Sequence, residues 1–435
     1  MMAQERSLSV ELTEKIGEIV TIKGWFHNLR DLGTVNFLLV RDAWGVTQCI
    51  VTKAVVNQLR NIQVESVIEV SGTVVSTMQA PNGLELHDCT VTVLETVSDQ
   101  IPFEINQRIV KTNLDTFLNH AQIGLRHPQR KALLRLSNGI IQGFRQCLLQ
   151  QRFTEIQTPK LVGSATEGGA NVFSVEYFDQ TAYLAQSPQL YKQMMVGVLE
   201  RVFEVGTVFR AEPHNTSRHI NEYTSLDVEL GFIENHHTVM GVLEVVIKNI
   251  SEHLFGHFQD ELNLLRVEAV QIPTQIPKIS FVDAQQIILE QYGQDCQQEK
   301  DLTPQQERWL GEWALQNFKS DFLFVTEYPM AKRPFYTHPH PENECFSNSF
   351  DLLFRGLELT TGGQRLHRYQ DYLKAMEAYH LNPTQFQAYL DTFKYGMPPH
   401  GGFAIGLQRF LLQLTKRPNI KEVTLFPRDR NRLSP

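Results

Sequence analysis

Residues 209–229 read FRAEPHNTSRHINEYTSLDVE. The flanks alternate as strands do: Val202, Glu204, Gly206 and Val208 lead in, and Ser225, Asp227 and Glu229 lead out. Between them Pro213, Asn215, Thr216 and Ser217 are loop formers. The pattern predicts an antiparallel hairpin with a long polar loop. It gathers Arg210, Arg218 and His219 with Glu212, Glu222, Asp227 and Glu229. Arginine forks suit a bidentate grip on phosphate oxygens. Carboxylates beside them suit an ammonium group, an adenine amine or a metal. On charge alone the stretch reads rather as an exposed, salt-bridged hairpin, because charged faces are usually just solvated.

The chain has 435 residues, enough for two or three domains and at least one large core. Hydrophobic residues make up 42% and charged residues 20%, the balance of a globular protein in water. No run of about 18 apolar residues exists, so no membrane span is expected. The start, MMAQERSLSVELTEK, has neither an apolar signal core nor a basic transit character, which predicts a cytoplasmic location. Cys49, Cys89, Cys147, Cys296 and Cys345 are scattered without a paired spacing, which argues against a disulfide framework or a structural zinc. The net charge of −8 does not favour sequence-blind nucleic-acid binding, yet it allows a local basic face.

Residues 1–102 carry β-rich runs at 19–26, 35–41, 46–52, 67–75 and 84–97, with turns at 43–45 and 81–83 and a short helix expected at 58–64. Five strands with one helix after the third fit a small barrel of the oligonucleotide-binding type. Such barrels bind single strands on one face through stacking and polar base contacts. Phe37 and Gln48 are candidates for that face, with Arg30 and Asp31 nearby, although a strand Phe is more often core. Residues 103–130 read as a polar linker. In the second domain, residues 131–435, the stretch 130–151 places Leu133, Leu136, Ile140, Phe144 and Leu148 at helical spacing. Gly168 and Gly169 after Thr166-Glu167 suit a mobile loop. Ser187-Pro188 starts a helix bearing Lys192. His338 and His340 read as part of a proline-broken loop rather than a metal pair. Asp351 and Glu358 lie on alternating, strand-like sequence and have the hard oxygens that Mg²⁺ takes beside a triphosphate.

The 209–229 stretch resembles motif 2 of the class II aminoacyl-tRNA synthetases, in the aspartyl and asparaginyl branch. Helix, strand and Thr158-Pro159 over about 131–160 resemble motif 1, and PPHGGFAIGLQRF within about 398–435 resembles motif 3. ATEGG and QSPQLYKQ resemble aspartyl-tRNA synthetases, and GWFHNLRDLGTVNFLLVRDAWGVTQCIV resembles their anticodon-binding domain. The resemblance covers nearly the whole chain. It implies an α+β fold: an N-terminal five-stranded barrel plus a catalytic antiparallel sheet flanked by helices. It implies an enzyme that activates L-aspartate with ATP and Mg²⁺, charges tRNA and works as a homodimer.

The resemblance also implies roles. Arg210 holds the α-phosphate and the attacking carboxylate, and Arg218 the outer phosphates. Glu212, His219 and Ile220 help fix ATP. Tyr223 and Arg409 flank adenine, with Gly406, Leu407 and Gln408 adjoining; the family's usual pattern has Glu where this chain has Gln408. Glu167, Gln189, Lys192, Asp227, Thr361 and Arg365 join Arg210 around aspartate. Asp351, Glu358 and Thr361 hold the metal; the family usually has Ser where Thr361 stands. Phe37 and Gln48 meet the anticodon. In archaeal-type members Trp and Lys at the positions of His27 and Pro81 accompany strict reading, whereas His and Pro accompany enzymes that also accept the asparagine tRNA. The chain therefore reads as charging tRNA(Asp) and also tRNA(Asn), which would call for an amidotransferase that converts aspartyl-tRNA(Asn). A strictly tRNA(Asp)-specific enzyme, an asparaginyl enzyme and an inactive RNA-binding relative stay open as alternatives. Lys192 weighs against the asparaginyl one.

Overall fold

A computed structural model describes residues 5–163 and 172–434 and divides into two compact units, residues 1–113 and 114–435. Glu167 and its glycine pair lie outside the described residues.

In the first unit five strands close on themselves: β1 (Ile19–Asp31), β2 (Asn36–Arg41), β3 (Val46–Val51), β4 (Val67–Ser76) and β5 (Leu84–Glu95). The strands pair in the order β1-β2-β3-β5-β4, with β3 and β5 parallel, and β4 returns to β1 to seal the barrel. A two-residue strand, Arg6–Ser7, adds to the edge of β1. Alternation sends Leu38, Val40, Cys49 and Val51 into the apolar core. Helix α1 (Lys53–Leu59) begins earlier than the expected 58–64. Thr52 caps it by accepting from the Val55 N–H, and Val56 and Leu59, one turn apart, are buried. Ile62 and Val64 pack on the barrel core from the following turn instead. The turn at 81–83 holds Asn82 at φ 63°, a left-handed conformation that Asn tolerates better than most residues.

Residues 114–124, read from the sequence as polar linker, form two short helices, Leu114–Asn119 and Ala121–Gly124, with Phe117 and Leu118 buried. In the second unit the sheet strands are β6 (Thr154–Glu155), β7 (Arg201–Phe209), β8 (Glu222–Gly231), β9 (Lys278–Ser280), β10 (Phe322–Thr326), β11 (Ser349–Phe354), β12 (Leu357–Gln364) and β13 (His400–Gly406). Among the described residues these eight run in the order β9-β10-β11-β12-β13-β8-β7-β6. The six inner strands are antiparallel to their neighbours, and only the edge strands β9 and β6 pair in parallel. This is the α+β plan expected from the motifs.

One face of the sheet is covered by α2 (Pro128–Gln150) and α4 (His236–His257). Leu226, Val228, Leu230, Phe403 and Ile405 meet Leu136, Ile140, Phe144, Leu243, Ile247 and Ile250 there. The two helices cross closely because α2 carries Gly139 and Gly143. A Cβ on Gly139 would stand 2.8 Å from Leu254 and Phe258. The residues between the core positions, Ser225, Asp227 and Glu229, face the other way. The same period runs sideways through the register: Asp351, Thr361, Ala404, Asp227 and Glu204 oppose one another across β11, β12, β13, β8 and β7. A polar face floored by small residues follows directly. No helix of the described residues is long and apolar enough to cross a membrane.

Candidate functional site

A cleft of about 770 Å³ opens on that polar face. Arg210, Glu212, Arg218, His219, Ile220, Tyr223, Glu358, Thr361, Gly406, Gln408 and Arg409 line it. The hairpin supplies the first six. Its loop is tied by Asn221, whose side-chain amide donates to the Arg210 and Glu212 carbonyls at 2.7 and 3.2 Å. Arg210 reaches over the Tyr223 ring, 5.8 Å from its centroid. His219 bonds Thr216 at 2.7 Å, and burial together with the Arg409, Arg218 and Arg210 charges pushes it below its ordinary range, so it is neutral at pH 7. Gly406 caps helix α6 (Leu407–Leu414), whose first turn brings Gln408 and Arg409 to the cleft. Leu407 is the exception among the expected ATP residues: its side chain is buried in the core. Gln408 Oε1 accepts from the Thr224 N–H at 3.1 Å and so ties α6 to β8.

Asp351 and Glu358 approach from β11 and β12. Thr361 Oγ1 bonds Glu358 at 3.1 Å, and Arg409 bonds the Glu358 carbonyl at 2.9 Å. Burial raises Glu358, but Arg409, Arg333, the Thr361 hydroxyl and Arg210 outweigh it and hold the group low. Asp351 behaves in the opposite way. Burial and the Glu358 charge push it up to about 6, against the pull of Arg333 at 3.1 Å. Two carboxylates and a hydroxyl on adjoining strands suit a Mg²⁺ that keeps waters and phosphate oxygens as its remaining ligands.

Beneath the cleft lies a buried charge cluster. Lys192, from α3 (Gln189–Leu199), stands 3.0 Å from Asp227 and 3.3 Å from Glu229, and it bonds the Val228 and Phe403 carbonyls as well. Arg365 meets Glu229 through Nε at 3.0 Å and the Gly402 carbonyl through Nη2 at 3.0 Å. Its Nη1 has no hydrogen-bond partner among the described residues. Ser225 donates to the second Asp227 oxygen at 2.6 Å. Lys192, Asp227 and Glu229 are each no more than 2% exposed. Burial alone would raise Glu229; Arg365 and Lys192 reverse this and hold it below the usual carboxylate range. Buried ion clusters of this kind cost desolvation, so apolar residues would stabilise the fold as well or better; their presence points to a ligand. Gly401 and Gly402 serve this cluster, since a Cβ on Gly402 would overlap the Glu229 carboxylate and the Val228 carbonyl.

In the barrel unit Phe37, Leu39, Gln48 and Ile50 share the outer face of β2 and β3, with Arg30 opposite Phe37. Phe37 is half-buried. Gln48 donates to Glu85 at 2.9 Å, which in turn meets His87 at 2.8 Å. His27 Nδ1 lies 3.3 Å from Arg41, itself held by Glu65 through two buried bonds of 2.7 and 2.6 Å. Pro81 sits in the turn before β5.

The model of class II tRNA synthetases (D, K and N) matches residues 113–430, and that of an OB-fold nucleic acid binding domain matches residues 20–94. The chain belongs to the class II tRNA synthetases. Among curated members of that family, an aspartate–tRNA(Asp/Asn) ligase of Thermus thermophilus is 45% identical over 430 residues, covering 99% of this chain and 100% of its own. An aspartate–tRNA(Asp) ligase of Pyrococcus horikoshii is 38% identical, covering 98% and 99%. The asparaginyl-tRNA synthetase of Pyrococcus horikoshii, solved with asparaginyl-adenylate, superposes with a TM-score of 0.92 at 28% identity, covering both chains fully. The synthetase fold is thus shared by enzymes named for two amino acids, and the choice between them lies in the side chains of the site.

In this synthetase the hairpin, Glu358 and Thr361 of β12 and the start of α6 line one cleft, whereas Asp351 of β11 is buried beside Arg333 and is not part of the lining. Lys192, Asp227 and Arg365 lie below the cleft in the charge cluster, and Gln189, one turn before Lys192 on α3, is buried against Gln193. Three residues of the site had no role assigned from the sequence. Glu229 is read there only as one of the hairpin acids, alternating with Asp227. Arg333 comes from a loop and pairs with Asp351. Glu307, on α5 (Pro304–Phe318), accepts from the Glu358 N–H at 3.1 Å and faces Arg218 at 3.9 Å. Burial and the Glu358 charge push it up to about 7.

Proposed function

We infer that the chain is an aspartate–tRNA ligase of the non-discriminating kind, which activates L-aspartate with ATP and charges both tRNA(Asp) and tRNA(Asn). The aspartate carboxylate attacks the α-phosphorus of ATP in line; pyrophosphate leaves and aspartyl-adenylate forms. A hydroxyl of the terminal tRNA ribose then attacks the adenylate carbonyl, and AMP leaves. No covalent enzyme nucleophile is needed. Arg210 orients the α-phosphate and the attacking carboxylate, Arg218 the outer phosphates, and Tyr223 and Arg409 enclose the base. Positioning and charge stabilisation carry the rate. Asp351, Glu358 and Thr361 are the residues to hold Mg²⁺, which when bound neutralises charge on the triphosphate.

The observation that carries the choice of aspartate is the buried pair of cations, Lys192 and Arg365. They meet Asp227 and Glu229, and Arg365 Nη1 is left unbonded among the described residues. A guanidinium edge there suits a second carboxylate; an amide would fill it with half the hydrogen bonds and no charge. Relaxed tRNA choice is supported by His27 and Pro81 and by the full-length similarity to ligases named for both tRNAs. Phe37 and Gln48 contact the anticodon from the barrel's outer face, and Glu167 pairs with the substrate ammonium.

The enzyme acts as a homodimer through α2 and β6, near which Leu149 and Leu161 are exposed. It works in the cytoplasm beside an amidotransferase that converts aspartyl-tRNA(Asn). Aspartate charging of tRNA(Asp) and tRNA(Asn) transcripts, measured side by side, tests the reading. Comparable charging of both is expected. Charging of tRNA(Asp) alone makes this a strict enzyme, and pyrophosphate exchange driven by asparagine instead of aspartate overturns the amino-acid assignment.

A further inference from the structure

Gln189, Lys192 and Gln193 share one face of α3, three and four residues apart, and all are buried. Lys192 belongs to the charge cluster. Gln193 lies behind it, is fully buried and makes four hydrogen bonds. Its Nε2 approaches the Tyr372 hydroxyl at 3.1 Å and His400 Nε2 at 3.0 Å; its Oε1 accepts from Gln189 Nε2 at 2.9 Å and from the Tyr389 hydroxyl at 3.0 Å.

The sense of this amide is set from outside it, twice. His400 Nδ1 is 3.0 Å from the Pro398 carbonyl, which can only accept, so the ring proton sits on Nδ1. Burial keeps the ring neutral, and Nε2 is therefore a lone pair. The Tyr372 hydroxyl spends its proton on the Leu366 carbonyl at 2.8 Å and so also presents a lone pair. Two acceptors converge on one end of Gln193, and only its NH₂ satisfies both. Its oxygen must then face α3, where it meets Gln189. Gln189 must in turn offer its own NH₂, which sends its Oε1 the other way. That oxygen has no hydrogen-bond partner among the described residues.

We propose that Gln193, locked by His400 and Tyr372, is a positioning residue that turns the Gln189 carbonyl oxygen into the amino-acid pocket as an acceptor for the substrate ammonium. A free glutamine there would flip between an oxygen that attracts the ammonium and an NH₂ that repels it. The chain of polarity from Pro398 through His400 and Gln193 to Gln189 removes the second state. The inference rests on the aminoacylation reading above for the identity of the ligand, but the lock itself does not.

Two measurements test it. In the wild-type enzyme with ¹⁵N-labelled histidine, His400 should show the Nδ1–H tautomer; the Nε2–H tautomer would overturn the lock whether or not the enzyme uses aspartate. In pyrophosphate exchange, Gln193→Met should raise KM for aspartate about ten- to hundredfold, the range for one hydrogen bond to a charged group, with KM for ATP changed less than about twofold. Gln193→Glu keeps an oxygen toward Gln189 but sets a carboxylate against the His400 lone pair. This variant should recover aspartate KM at acidic pH, where His400 takes a second proton, and lose it as pH rises, a trend that the wild type does not show. An unchanged aspartate KM in Gln193→Met, an equal rise in both KM values, or a flat profile in Gln193→Glu overturns the proposal. Absence of aspartate-dependent exchange in the wild type, with the Nδ1–H tautomer present, would instead overturn the functional reading alone.

Discussion

Lys192→Met removes one cation from a buried group of four charges, and its consequences can be worked from the geometry. Nζ lies 3.0 Å from an Asp227 oxygen and 3.3 Å from a Glu229 oxygen. At an effective dielectric of about 20 each pair is worth roughly 5 kcal/mol gross. Desolvating the ammonium offsets much of this, and breaking one side of a buried pair typically costs about 3–5 kcal/mol. The variant leaves two carboxylates facing Arg365 alone, so the local charge falls from zero to minus one. An incoming aspartate then meets a more negative pocket. We expect kcat/KM for aspartate in pyrophosphate exchange to fall by at least about a hundredfold, equivalent to about 3 kcal/mol, while KM for ATP stays within about twofold.

The pH dependence follows from Glu229. Arg365 and Lys192 hold its folded-state pKa below the value of 4.5 expected for a free carboxyl, so its stabilising contribution is full above that value and is lost as pH falls through the folded pKa. Removing Lys192 weakens the depression. The stability difference between wild type and variant should therefore be largest near neutral pH and shrink as pH falls below about 4.5, measured by denaturant unfolding across pH. Aspartate use within a few-fold of wild type, together with a stability loss under about 1 kcal/mol, would refute the assignment of Lys192 to a charge cluster that receives the substrate.

Arg210→Ala should lower pyrophosphate exchange by about a hundred- to a thousandfold, the scale for losing one charge-stabilising donor, and leave thermal unfolding close to wild type. Phe37→Ala should weaken tRNA charging by about 1–3 kcal/mol in kcat/KM for tRNA without altering pyrophosphate exchange, since Phe37 belongs to a different compact unit from the residues assigned to the adenylate chemistry. Asp351→Asn should raise the Mg²⁺ concentration needed for half-maximal exchange, and chelation by EDTA should abolish exchange in the wild type. Arg41→Met removes both buried bonds that Arg41 makes to Glu65 and should cost about 3–5 kcal/mol in the unfolding of the barrel; Arg41→Met combined with Glu65→Leu should recover most of that loss.

What was legible in the sequence was local. The alternation on either side of Pro213–Ser217 predicts the β7/β8 hairpin, because a period of two has only one cheap conformation. The Leu133–Leu148 spacing predicts α2 for the same kind of reason at a period of 3.6. Arg210, Arg218, Arg409 and Glu358 were recognisable because each sits within a few residues of other members of its motif. The helix after β3 starts at Lys53 and not at 58, with Thr52 as its cap and Val56 and Leu59 as its buried face.

Only the tertiary structure could decide which residues meet across the chain. Gln193 and His400 are 207 positions apart, Gln193 and Tyr372 are 179, and Arg365 reaches Glu229 across 136. Nothing in the local pattern of a buried helix distinguishes Gln193 from a solvated glutamine, and Glu307 reads as an ordinary helix-surface acid. Their chemistry comes from burial beside particular partners, which sets tautomer, amide sense and charge state. The amino-acid sequence determines periodicity and motif, whereas a protonation state is a property of the surroundings. Those surroundings exist only once the six inner strands have brought β8, β12 and β13 side by side.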